Sequence, residues 1–118
     1  MSKEALVVKS ELTAELIDIA EKELDKLQEA VDGLIEPVDL TPTITMWVNE
    51  EGLFRKDLDI NYLATAFMAE VFASTLPIMG DVVFTGGIDS EGNTKPLTQD
   101  DVAELTEMTR RAREQMYI

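Results

Sequence analysis

Glu50, Glu51, Asp57 and Asp59 fall within ten residues of one another. Oxygen donors at that density are what a hard cation such as calcium or magnesium takes as ligands. The spacing nevertheless matches no calcium loop. The later stretch Asp89-Ser90-Glu91-Gly92-Asn93 resembles part of one but lacks the later ligands and the usual place of the glycine. Exposed turn carboxylates account for both stretches. The chain has no cysteine and no histidine. Disulfides, thiol nucleophiles, imidazole acid–base pairs and most zinc sites are thereby excluded. Asp, Glu, Lys, Tyr, Ser and Thr remain, with no base–nucleophile pair among them. The sequence therefore predicts a non-catalytic protein with no cofactor and no metal.

Two further constellations suggest binding. Gly86-Gly87 follows a strand-like run, as phosphate-binding loops do, but lacks the third glycine and the helix of a dinucleotide fingerprint. A bulge or bend is the plainer account. Arg110, Arg111 and Arg113 form a basic cluster, which a helix C-terminus also favours. Gly86, Gly87 and the three arginines together make a nucleotide-binding or nucleotide-sequestering protein the alternative expectation. Trp47, the single tryptophan, either packs in the core or serves as a recognition anchor. With Asn49, Glu50, Glu51, Asp57 and Asp59 it forms the candidate protein-binding surface.

Charge narrows the partners. Ten basic residues face 24 acidic ones, a net charge of -14 over 118 residues. Such a surface repels nucleic acid and anionic membranes and attracts basic proteins. Direct nucleic-acid binding and membrane association are not expected. No apolar run approaches the roughly 20 residues of a membrane span, and the N-terminus lacks the apolar region of a secretory signal. A cytoplasmic location is expected. The sequence leaves the oligomeric state open, a homodimer included.

The elements that would position these residues follow from periodicity. Residues 4–9 are a short strand. Residues 11–20 are ambiguous between strand and helix. Asp18 and Glu21 have the spacing of a capping box, ahead of a helical stripe of Ala20, Leu24, Leu27 and Val31 that ends at Gly33. Residues 34–40 and 43–50 form a hairpin, with Pro37 on an edge or at a bulge. Ile44, Met46 and Val48 face one way, and Thr43, Thr45, Trp47 and Asn49 the other. After the Glu51-Gly52 turn, Leu53–Arg55 continue as an extended piece. Asp59 or Asn61 caps a helix starting near Ile60 with a stripe of Leu63, Ala64, Phe67 and Val71, and Pro77 ends it. Residues 81–89 are a strand, residues 89–93 a turn. Thr98 and Asp101 open a last helix, about 98–116, carrying Val102, Leu105 and Ala112. The sum is one α+β domain over residues 1–118, a mainly antiparallel sheet of about five strands with three helices packed on it.

The runs "LDKLQEAVDGLIEPVDL", "TMWVNEEG", "INYLATA" and "GDVVFTGGIDSEGN" occur in that order. They resemble a family of small phage, prophage and plasmid proteins catalogued only as a domain of unknown function. Leu24, Leu27, Gln28, Val31, Gly33, Ile35 and Glu36 carry the first block. Asn49, Glu50 and Gly52 follow, then Asn61 and Ala64, then Gly80, Asp81, Val82, Val83 and Gly86. The resemblance covers about residues 5–95 and leaves the last helix outside. It implies that "AELIDI" is a strand paired with "ALVV", that the gene belongs to a bacteriophage or similar element, and no enzymatic activity. One departure is "LFRKDLD", where the family has a plainer connection rich in Gly or Pro. The function expected is that of a bacteriophage accessory protein, acting in the host cytoplasm, that binds and modulates a host protein with a basic surface. Mimicry of DNA, directed at a nucleic-acid-binding host factor, is its concrete version.

Overall fold

A computed structural model describes residues 2–116. In chain order the elements are β1 (Glu4–Val8), β2 (Ala14–Asp18), α1 (Glu23–Val31), β3 (Ile35–Thr41), β4 (Ile44–Asn49), α2 (Tyr62–Phe72), β5 (Val82–Gly86) and α3 (Gln99–Met116). The strands form one sheet in the order β2-β1-β5-β4-β3. Every pairing is antiparallel. The fold is α+β, as the alternation of short strands with amphipathic helices implies.

The sheet is covered on both faces, and the strands show why. In β4, Ile44, Met46 and Val48 point toward α2 and α3, where Phe67, Phe84, Leu105 and Met108 complete the larger core. Thr45 and Trp47 point the other way. There Val7, Leu27, Val31, Trp47 and Val83 form a smaller core beneath α1. Phe67 and Phe84 meet edge to face with ring centroids 5.8 Å apart, a favoured aromatic arrangement.

The segment left open between strand and helix is a strand. β2 pairs β1 in register Leu6↔Leu16, as the family resemblance implies. This overturns the expected start of α1. Asp18 does not cap a helix. It ends β2, and its Oδ1 accepts the backbone N–H groups of Lys3 and Ala20, each at 2.9 Å. The chain then turns through Lys22 in the left-handed region, and α1 begins at Glu23 with no side-chain cap. Strand pairing carries Ile19 into the core with Leu27 and Val31, and leaves Leu24 exposed. At the far end Asp32 takes the left-handed conformation and Gly33 N–H closes on Gln28 O.

Pro37 lies on edge strand β3, where its missing N–H faces no partner strand. The bulge comes later, between Asp39 and Thr41. Leu53 is not extended: Gly52–Phe54 form a single 3-10 turn. Asn61, not Asp59, caps α2. Ile60 stays outside the helix and bridges Met79. The helix stops at Ala73, ahead of Pro77, with Val71 and Phe72 exposed. β5 ends at Gly86, and residues 87–95 form a hairpin-like excursion closed by Gly86 N–H to Lys95 O and Lys95 N–H to Gly87 O. The capping box of α3 forms as the sequence predicts. Thr98 N–H donates to Asp101 Oδ2 and Asp101 N–H to Thr98 Oγ1, both 3.1 Å. Val102 faces solvent, while Leu105, Met108 and Ala112 face the core.

Candidate functional site

The residues expected to share a single recognition surface separate into three groups. Trp47 is 8% exposed, and its Nε1–H donates to Thr85 Oγ1 at 2.9 Å. It is a core residue, because its strand phase turns it under α1, and it cannot serve as a surface anchor. Asn49 is also buried. Its Nδ2 donates to Val31 O at 3.0 Å and Asp32 O at 3.3 Å, and its Oδ1 accepts Glu51 N–H at 2.8 Å. It joins the end of α1 to the end of β4. Gly33 is bare at the same place: a Cβ there would lie 2.8 Å from Asn49 Nδ2.

The four carboxylates do not converge. Asp57 and Asp59 line a cleft of about 190 Å³ with Asp32 and Asp81. Arg55 spans that cluster, bonding Asp32 Oδ2 at 2.9 Å and Asp57 Oδ2 at 2.5 Å. The hydrogen bond from Arg55 holds the Asp57 carboxyl below the usual range. Glu50 lines a different groove. Among the described residues no group of three carboxylates is placed to hold a metal ion.

The nucleotide constellation is likewise divided. Gly86 and Gly87 line a groove of about 490 Å³ whose charged residues are Lys95, Asp100, Asp101 and Glu104. That sign repels phosphate. A Cβ on Gly86 would lie 2.6 Å from Pro96 O, so the glycine admits the passing backbone. The arginines are elsewhere, along α3. Arg110 sits between Glu107 and Glu114, and Arg111 meets Glu70 at 2.7 Å. The Arg110 hydrogen bond lowers the pKa of Glu107. Arg113 is exposed near the helix end.

Sequence reasoning does not single out an apolar feature beside Glu50. Phe54 is 87% exposed, and Leu53 and Leu76 are more than half exposed. They line one groove of about 160 Å³ with Met68, Pro77 and Met79. The 3-10 turn creates it. Within that turn Gly52 is buried against Met79, a Cβ there lying 3.4 Å from Met79 Cβ, while Leu53 and Phe54 are exposed. Among the described residues, the only charged ones lining the groove are Glu36 and Glu50. The signal in the sequence is "EEGLFRK", two large apolar residues inside a charged turn with no helix or strand period to bury them.

Six of the 24 carboxylates are in ion pairs among the described residues: Glu23, Asp32, Asp57, Glu70, Glu107 and Glu114. No helix there is long and apolar enough to cross a membrane. No curated protein and no solved structure matches the chain. A family model described as "Domain of unknown function (DUF3846)" matches residues 1–110, from β1 into α3, and the chain belongs to that family.

Proposed function

We propose that the protein is a non-catalytic bacteriophage accessory protein that binds and modulates a host protein presenting a basic surface. One observation carries the reading: most of its carboxylates lie on the surface, and among the described residues only six of them are in ion pairs. Unneutralised charge of that size speeds encounter with a basic partner and makes association strongly salt-dependent. The absence of His and Cys from the sequence supports a role without turnover. Mimicry of DNA is the narrower form, and it requires carboxylates ranked along one side. Here they lie on α1 over one face of the sheet and on α3 over the other, so the broader form has the better support.

The test is capture from host lysate on the immobilised protein. Basic proteins are retained at low salt and released as salt rises. Competing duplex DNA displaces them if mimicry is the mode. Recovery of no partner at either salt level contradicts the proposal.

A further inference from the structure

Large apolar side chains gathered in the open rarely lack a partner. Phe54, Leu53 and Leu76 come from two separate segments, the turn after β4 and the connection from α2 to β5. They meet on one groove. Its lining includes Met68 and Met79, and flexible thioethers adapt to an incoming shape. About 150 Å³ of apolar space takes a benzene ring, and this groove measures about 160 Å³. It therefore fits one large apolar side chain.

The rim identifies what carries that side chain. Glu36 projects from edge strand β3 and Glu50 from the end of β4, both exposed and neither ion-paired among the described residues. Glu51 lies next in the chain and is also exposed. A second copy of this chain would bring a like rim and a like net charge of -14 against them. A segment with Lys or Arg flanking a Leu, Met or Phe would satisfy both the groove and the rim.

We infer that the groove between the Gly52–Phe54 turn and Leu76–Met79 docks an amphipathic basic segment of another protein, one apolar anchor seated among Phe54, Leu76 and Met79 and its cations on Glu36 and Glu50. This rests on the basic-partner reading above and deepens it.

The experiment uses two fluorescein-labelled peptides of equal charge and length, one with Leu on one face and Lys on the other, one with Ser in place of Leu. Anisotropy titrations are run against the wild type, Phe54→Ser, Leu76→Ser and Glu50→Gln, with Val102→Ser as an exposed apolar change on α3. Because Phe54 and Leu76 are exposed, the variants keep the fold, which an unchanged Trp47 emission verifies. The Leu/Lys peptide binds the wild type at least tenfold more tightly than the Ser/Lys peptide. Phe54→Ser and Leu76→Ser each weaken it by about tenfold, more than truncation of most interface side chains costs. Glu50→Gln weakens it less and reduces its salt dependence. Val102→Ser leaves it within about twofold. Equal affinity for both peptides, or no loss with Phe54→Ser, overturns the docking groove while leaving the basic-partner reading standing. Failure of both peptides to bind at low salt overturns the two together.

Discussion

Asn61 shows how much a single polar side chain can organise here. It is wholly buried. Its Oδ1 accepts Ala64 N–H at 3.0 Å as the cap of α2, and its Nδ2 donates to Val8 O at 3.1 Å and Gly80 O at 3.0 Å. One amide thus joins the start of α2 to the end of β1 and the approach to β5. Asn61→Ala removes the cap and the two buried hydrogen bonds to Val8 O and Gly80 O. The expected loss is about 2–4 kcal/mol by chemical denaturation, the sum of a cap and those buried hydrogen bonds. Asp18 supports a prediction about pH. Its carboxyl is held below the ordinary aspartate value chiefly by the Lys3 N–H, then by the Ala20 N–H. A lowered native pKa gives stability that is full above the ordinary value and lost as pH falls through the native one. Asp18→Asn therefore melts below the wild type at neutral pH, and the difference between the two shrinks as pH falls below the ordinary aspartate range. The role of Asn61 as a cap is legible from its place before an apolar stripe. The two carbonyls it also satisfies are not, because they belong to chain segments far away in sequence.

At the scale of elements, alternation of side chains is the most informative signal. β4 and β5 are buried on both faces, and the phase of Ile44, Met46 and Val48 against Trp47 correctly assigns the two sides. Local spacing misplaces the start of α1, because Asp18 and Glu21 have capping-box spacing, while the pairing of β2 with β1 is a long-range event that such spacing does not report. The family resemblance supplies that pairing. The end of α1 rests on a close approach between Gly33 and Asn49. Gly33→Ala places a Cβ against the Asn49 amide, disturbing its bonds to Val31 and Asp32. A loss of about 1–3 kcal/mol is expected, with a shift in the amide hydrogen-exchange protection of α1's last turn.

For the whole molecule, charge is the dominant fact. A net charge of -14 opposes compaction through self-repulsion, and few of the ion pairs that offset it are shielded from solvent. Added sodium chloride should raise Tm by several degrees at neutral pH; a flat or falling Tm would mean that the carboxylates are better compensated than their geometry indicates. This charge is legible in the composition alone. The outward turn of Leu53 and Phe54 is not, because a single 3-10 turn leaves no period in the sequence to report which way they face. The most direct measurement of the central claim, action by binding a basic macromolecule, is salt-graded retention of host proteins on the wild type beside Phe54→Ser. A basic protein is expected to be held at low salt, released as salt rises, and held more weakly by the variant. A column that retains no host protein at low salt would contradict it.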